Sequence, residues 1–201
     1  MRFDYTQIFL LAWIVVFWFY YFLTYGRAEG KHERSVQQEH DIKPKWRFFF
    51  GTAFFAWTAV IIIYFFNRDS INWIWKLSFL DHMPVKIAAM AAMCFSLLLF
   101  VLFTENAGRS IRSAVDAGEK PKLTTKGIYR YIRHPCYLAF LIEALGIFFI
   151  IPNVITLVLL AYTCVATCGH TIEEEQKLIR VYGEEYERYR REVGRFLPKL
   201  R

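Results

Sequence analysis

Five apolar runs alternate along the chain with polar segments that carry most of its charges. The runs cover residues 5–25, 48–66, 87–104, 136–151 and 154–168. A bilayer core about 30 Å thick requires about 20 apolar residues in a helix, and lipid offers no partner to an unpaired backbone group. The pattern therefore predicts an all-α fold, an integral membrane bundle of about five transmembrane helices. Pro152 and Asn153 separate the last two runs, which predicts a tight antiparallel hairpin there.

Hydrophobic positions after the fifth run are periodic rather than continuous. Apolar side chains recur at helical spacing with charged residues between them, at Leu178, Ile179, Tyr182, Tyr186, Tyr189 and Val193. This spacing predicts a cytoplasmic C-terminal amphipathic helix that lies on the membrane or folds back over the bundle. Packing explains its tyrosines better than catalysis does. We expect two parts, residues 1–104 with three membrane helices and their loops, and residues 105–201 with the remaining elements.

Composition and charge agree with a membrane protein and exclude other classes. The 201 residues are 56% hydrophobic with a formal net charge of +7, unlike a disordered chain, a disulfide scaffold or a soluble domain. Three segments that would share one side of the membrane hold 21 of the 25 Lys and Arg residues: 27–47, 109–133 and 177–201. Positive charge favours the cytoplasmic side, so the N-terminus is predicted outside and the C-terminus inside. The basic excess then contacts anionic lipid headgroups, and no nucleic-acid partner is predicted.

The first segment with candidate chemistry precedes the fourth apolar run. Pro135 suits the first position of a helix, because the N–H that proline lacks would be unpaired there anyway. The next two backbone amides and the helix dipole make such a helix start an anion site, and Arg133 and His134 stand just before it. A basic cluster on lipid headgroups is the alternative. It explains the arginines, but not Gly127, His134 and Pro135 at this spacing.

A second candidate segment, Glu173, Glu174 and Glu175, directly follows the fifth run. Adjacent carboxylates at a membrane surface suit a ligand with an ammonium group or a ribose diol, which they bind through charge-assisted hydrogen bonds. The alternative is a helix cap, since Thr171 with Glu174 three residues later fits a capping box. A cap accounts for one of the three carboxylates.

Two further features lie inside the apolar runs. Glu143 carries the only charge in the fourth run, and it is either functional or a hydrogen-bonded glutamic acid that joins two helices. Its candidate partners are hydroxyl side chains of the fifth run, namely Thr156, Tyr162, Thr163 and Thr167. Cys164, Cys168 and His170 superficially resemble metal ligands, but packing of small polarizable side chains is the simpler interpretation, and no metal site is predicted.

Both candidate segments match motifs of a known enzyme family. The segment Gly127-Ile-Tyr-Arg-Tyr-Ile-Arg-His-Pro-Cys-Tyr137 resembles the G-x-Y-x-x-x-R-H-P-x-Y signature of isoprenylcysteine carboxyl methyltransferases and related phospholipid methyltransferases. The C-terminal pattern of the same family resembles Glu174-Glu175, Leu178, Tyr182-Gly183, Tyr186, Tyr189 and Gly194-Arg195-Phe196-Leu197-Pro198. The resemblance covers about residues 105–200. The short chain is similar to prokaryotic members, which implies a prokaryotic cell membrane.

The resemblance implies a membrane methyltransferase that uses S-adenosylmethionine, with residues 105–201 as its cofactor-binding core. The implied cofactor-binding residues are Lys126, Gly127, Tyr129, His134, Pro135, Tyr137, Glu174 and Glu175. The implied acceptor is lipophilic, a prenylcysteine-like or lipid molecule methylated on a carboxylate, amine or thiol, and candidates on its side are Arg133, Glu143 and Arg195. The alternative is a sterol-reductase-like NADPH-dependent oxidoreductase with a similar R-H-P-x-Y block. The 2′-phosphate of NADPH, however, prefers arginines to glutamates.

Overall fold

The computed structural model describes residues 4–37, 45–72, 75–116 and 123–199, and it is helical, with no β-strand in these ranges. Arg2, Lys43, Lys120, Lys122 and Arg201, among the basic residues of the chain, lie outside them. The helices are α1 (Tyr5–Gln37), α2 (Lys45–Phe66), α3 (Arg68–Asn72), α4 (Met83–Asp116), α5 (Pro135–Ile150), α6 (Val154–Tyr182) and α7 (Glu184–Glu192). The all-α class predicted from the sequence is confirmed.

Three of these helices are long and apolar enough to cross a membrane. They are α2, the Met83–Glu105 part of α4, and α6. The apolar segment Tyr5–Tyr20 of α1 and the whole of α5 are shorter. With 16 residues, α5 is about 24 Å long, which is less than the hydrocarbon core of about 30 Å.

The core of the bundle forms where α5 packs against its neighbours. Buried apolar side chains from α1, α2, α4 and α5 make one cluster, which includes Leu10, Trp57, Met93 and Ile147. Gly146 lets α5 approach α4 closely, because a Cβ at this position would lie 2.4 Å from Cγ of Met93. This packing holds α5 in place and thereby fixes the position of its N-terminus, where the candidate site lies.

The turn between α5 and α6 is the tight hairpin predicted from Pro152 and Asn153. Asn153 caps α6, since its Oδ1 accepts the Thr156 backbone N–H at 2.9 Å and its own N–H is donated to Thr156 Oγ1 at 3.2 Å.

Two lysines, Lys76 and Lys86, both form ion pairs with the carboxylate of Asp81. Burial alone would raise the pKa of Asp81, but hydrogen bonds from the two lysines outweigh it and lower the pKa from 3.8 to about 2.

Helix α6 corrects two expectations. It continues without a break past Thr171, whose hydroxyl donates to the Cys168 carbonyl at 2.9 Å, so the predicted capping box at Thr171 is wrong. The three glutamates therefore lie inside a helix, where a cap does not explain them. Gly183, with a φ of 57°, then ends α6, and the predicted amphipathic segment is divided between the last turns of α6 and the short helix α7.

Candidate functional site

The C-terminal segment is bound through its backbone to the residues that precede α5. The Arg133 N–H donates to the Gly194 carbonyl at 2.9 Å, and the His134 N–H donates to the Arg195 carbonyl at 3.0 Å. A glycine is required at position 194 because the backbone of Leu197 lies very close to it. A Cβ at this position would lie 1.8 Å from the Leu197 carbonyl oxygen. The two motif segments of the sequence are thus joined into one unit.

A buried ion-pair cluster reinforces this junction, with the Glu175 carboxylate at its centre. Arg133 donates to Glu175 Oε1 through Nη2 at 2.7 Å and through Nε at 3.1 Å. Arg195 donates to Glu175 Oε2 through Nη2 at 2.7 Å, and Nε2 of His134 lies 3.2 Å from Oε1. The side chains of Arg133 and Glu175 are only 7% and 4% exposed, whereas that of Arg195 is 35% exposed. Charge-assisted bonds of this kind stabilise both ionised partners, and they raise the pKa of Arg195.

Arg133 also binds the end of α7. Its Nη1 donates to the Arg190 carbonyl at 3.1 Å and to the Val193 carbonyl. One guanidinium therefore connects the start of α5, the carboxylate on α6 and the end of α7. This arrangement depends on the planar guanidinium, whose five N–H donors point in fixed directions. A lysine has a single ammonium group and could not reach all of these partners in the same way.

Glu174 lies beside this cluster but is bonded differently. Its Oε2 is 3.8 Å from His134 Nδ1, and it has no hydrogen-bond partner among the residues that the structure describes, although the atom itself is buried. Burial, together with the nearby charge of Glu174, raises the pKa of Tyr129 far above its ordinary range, so that its hydroxyl stays protonated. The Glu174 carboxylate, which lies next to aromatic side chains, can therefore accept a further hydrogen bond through Oε2.

The remaining predicted cofactor residues surround the start of α5. Pro135 begins α5 as predicted, with His134 as the residue that precedes the first turn. Lys126 and Gly127 are exposed, and Gly127, with a φ of 63°, opens the short 3₁₀ turn Gly127–Arg130. The carbonyl of Tyr129 in this turn accepts the Tyr189 hydroxyl at 2.7 Å. The Tyr137 ring lies 5.6 Å from the His134 ring.

Glu143 is not part of this group. It is buried in α5, more than two turns beyond His134, and its Oε1 accepts the indole N–H of Trp13 at 3.1 Å. The partner is therefore a tryptophan of α1, whereas the sequence pointed to hydroxyls of the fifth run. Of those, the Thr163 hydroxyl accepts the Trp57 indole N–H at 2.9 Å instead.

Sequence reasoning missed the place of His170 in this region. Its ring stacks on Phe50 of α2 at 5.3 Å and meets the edge of Tyr137 at 5.5 Å. His170, Thr167 and Glu174 lie on one face of α6 at spacings of three and four residues, which is the signal that would have indicated the group. No cluster of three metal-ligating side chains occurs within the described ranges.

Taken together, the geometry describes a polar site at one end of the helix bundle. A helix N-terminus favours anionic groups, and the Glu174 carboxylate favours cationic or hydroxyl groups. Aromatic rings of Tyr137, Phe50 and Tyr129 supply apolar walls beside them. Such a site suits a zwitterionic small molecule with an aromatic or sugar portion.

Comparisons with known proteins identify the family of the chain. A family model described as phospholipid methyltransferase matches residues 84–185. The chain is 32% identical over 119 residues to a protein-S-isoprenylcysteine O-methyltransferase of Schizosaccharomyces pombe, which covers 57% of this chain and 50% of that protein. It is also 32% identical over 80 residues to a methanethiol S-methyltransferase of Crocosphaera subtropica. That aligned region covers 38% of this chain and 29% of that protein.

The chain spans about half or less of the length of these curated relatives. The comparisons give no support to the reductase alternative. The family model covers half of the chain and includes both the Arg133–His134 segment and Glu175. The chain therefore belongs to the phospholipid methyltransferase family.

Proposed function

We propose that this protein is an S-adenosylmethionine-dependent methyltransferase embedded in a membrane, and that it transfers a methyl group to a lipophilic acceptor. The observation that carries the proposal is the cluster around Glu175. It joins the two segments that resemble methyltransferase motifs, and it leaves the neighbouring Glu174 with an oxygen that accepts no hydrogen bond from the described residues. The relatives named above, which are O- and S-methyltransferases, support the same reaction class.

The residues present fit the cofactor. S-adenosylmethionine supplies an activated methyl group on a sulfonium sulfur when it is bound. In our proposal the start of α5 at His134 and Pro135 holds its carboxylate, and Glu174 accepts hydrogen bonds from its ammonium group or ribose. Tyr129 and Tyr137 line the apolar part of the site, with Lys126 and Gly127 at its exposed edge.

The two neighbouring carboxylates, Glu174 and Glu175, have different roles in our proposal. Since Glu175 is bound by two guanidiniums, we assign it a positioning role, in which it holds the C-terminal segment against α5. It stays a prediction that Glu175 contacts the cofactor directly. It likewise stays a prediction that Arg133, Glu143 or Arg195 contacts the acceptor. Precise placement of two reactants with exclusion of water accounts for much of such a transfer, so a rigid frame has catalytic value.

We further propose a five-helix membrane topology, with residues 105–201 as the cofactor-binding core. The apolar segments of α1 and α5 are short, but a bilayer can thin locally to match a short helix. The excess of Lys and Arg in the loops supports an N-terminus outside and a site on the cytoplasmic side. The resemblance of the short chain to prokaryotic family members supports a prokaryotic cell membrane. The acceptor, a prenylcysteine-like or lipid molecule, then enters from the bilayer.

The test is calorimetric titration of S-adenosylhomocysteine, the reaction product, into the detergent-purified protein, with NADPH titrated in parallel. We expect the first to bind and the second not to bind. Glu174→Gln should weaken binding about tenfold, the scale of a lost hydrogen bond to a charged group. The matched control is Glu173→Gln, since the Glu173 carboxylate accepts the Trp46 backbone N–H at 3.1 Å and faces α2. Binding of NADPH alone would contradict the proposal.

A further inference from the structure

A short segment between α3 and α4 covers the end of the bundle opposite the candidate site. We call residues 75–82 the distal segment. Its Leu77 N–H donates to the Pro152 carbonyl at 2.8 Å, and its Trp75 carbonyl accepts the Val154 N–H at 3.3 Å. The distal segment is therefore bound through its backbone to the turn between α5 and α6, where it satisfies backbone groups that lipid could not satisfy.

Helix lengths place the distal segment at the edge of the hydrocarbon core. Helix α5 starts at the candidate site and is about 24 Å long, so it ends about 6 Å short of the far side of a core of about 30 Å. Gly146 of α5 packs between Ala89 and Met93 of α4. From this level α4 extends about eight residues to its start at Met83, whereas α5 extends about four residues to its end, so α4 reaches about 6 Å farther. The distal segment, which connects the turn to Met83, lies between these two depths.

The distal segment has an inner and an outer apolar face. Leu77 and Leu80 pack against the core cluster of the bundle. The side chains on the outer face are large aromatics, since Trp75 is 75% exposed and Phe79 is 70% exposed. Tryptophan is enriched where a membrane meets water, because its ring is apolar and its N–H is polar. At the depth given by α4 and α5, the outer face meets lipid.

Ion pairs allow the distal segment to carry charges at this depth. The Asp81 carboxylate pairs with Lys76 and with Lys86, and the side chains of Asp81 and Lys86 are only 17% and 9% exposed. An unpaired charge in hydrocarbon is costly, whereas charges near the boundary are tolerated when they pair or when a lysine extends to the headgroups. The charged residues of the distal segment are therefore compatible with contact between its outer face and lipid.

The backbone of Trp75 is a second, independent observation. Its φ of 43° lies in the left-handed region, and within the described ranges it is the one non-glycine residue with a positive φ. A bulky side chain is an outlier in this region, whereas glycine adopts it readily. The exposed indole gains little packing inside the bundle that could offset this strain, so a contact outside the chain accounts for a tryptophan at this position.

We propose that the distal segment is an interfacial anchor, in which Trp75 and Phe79 bind the lipids of one leaflet at the boundary between acyl chains and headgroups. Leu77 and Leu80 close the bundle beneath them. The proposal rests on the membrane topology put forward above, and it does not depend on methyl transfer. The occupant of the outer face is lipid, and neither water nor a protein partner covers it.

The experiment measures quenching of Trp75 fluorescence by lipids that carry bromine at known depths. The full-length protein is reconstituted into phosphatidylcholine vesicles with bromine at carbons 6 and 7 or at carbons 11 and 12 of one acyl chain. The emission of Trp75→Phe is subtracted from that of the original protein, which leaves the contribution of Trp75. We expect the shallow bromines to quench this contribution at least about twofold more strongly than the deep bromines.

Two results would overturn the proposal. Quenching of Trp75 by aqueous iodide, without an effect of either brominated lipid, would place the indole in water and leave the outer face for a protein partner. Stronger quenching by the deep bromines would place it in the middle of the acyl chains. Phe79→Trp in the Trp75→Phe background repeats the measurement at a second position, and it should show the same order of quenching if the whole segment is the anchor.

A control in the same background separates the anchor from the topology. Phe55 is 63% exposed on α2, eleven residues before the end of that helix at Phe66, which places it about 16 Å from the distal end and close to the bilayer centre. Phe55→Trp with Trp75→Phe should therefore be quenched most by the deep bromines. Quenching of Phe55→Trp but not of Trp75 would refute the anchor alone, whereas absence of quenching at both positions would refute the membrane topology.

Discussion

Glu175→Gln is the substitution that examines the central ion-pair cluster most directly. The change keeps the size of the side chain but removes the negative charge between two guanidiniums. Arg133, whose side chain is 7% exposed, would become an uncompensated buried cation. Removing one partner of a buried ion pair typically costs about 3–5 kcal/mol. Arg195 is 35% exposed and can be solvated by water, so it adds little, and we expect a loss of about 3 kcal/mol in the free energy of unfolding.

The assay is unfolding in mixed detergent micelles, followed by tryptophan fluorescence. Glu187→Gln is the control, because the Glu187 carboxylate is 38% exposed and pairs with Arg190 and Arg191 on the surface of α7 at 3.6 and 3.9 Å. Such pairs are worth less than about 1 kcal/mol. Equal destabilisation by the two substitutions would refute the reasoning, since it would show that burial does not decide the strength of the cluster.

Two other predictions concern stability. Gly146→Ala should destabilise the protein by about 1–3 kcal/mol, because the added methyl meets the Met93 side chain. Gly51→Ala, which has open space around it in α2, should be neutral or stabilising, and unfolding midpoints would compare the two. Asp81, whose pKa is lowered from 3.8 to about 2, should stabilise the fold above pH 3.8 and lose this effect as the pH falls toward 2. The stability difference between the original protein and Asp81→Asn should shrink over that range, and a constant difference would contradict the assignment.

Local chemistry made part of the structure predictable from the sequence. The start of α5 at Pro135 and the turn at Asn153 depend on residues that act within their own segment: proline has no N–H, and an asparagine side chain accepts a nearby backbone N–H. The apolar runs likewise indicate helices without knowledge of their partners. The predicted helix starts therefore agree with the structure to within a few residues, whereas α1, α4 and α6 continue 12 to 14 residues beyond the ends of their apolar runs.

Features that depend on distant partners were not predictable in the same way. A buried glutamate inside a helix at the end of an apolar run is unfavourable alone, and Glu175 becomes acceptable there because Arg133 and Arg195 come from elsewhere in the chain. For Glu143, the partner Trp13 lies 130 positions away. His170 belongs to neither motif, so its position against Phe50 is visible only once α2 and α6 are packed together.

The backbone bonds from Gly194 and Arg195 to the segment before α5 have a consequence for biogenesis. Residues 132–134 are synthesised well before residues 193–195, and at about 5–20 residues per second the interval amounts to several seconds. During that interval the nascent chain can insert its apolar helices. The backbone N–H groups of Arg133 and His134 still lack the carbonyls of Gly194 and Arg195 that accept their hydrogen bonds. The proposed ligand site is therefore completed only after residues 193–195 are synthesised, and a chain that stalls before Val193 would lack the two backbone bonds that hold the C-terminal segment against the start of α5.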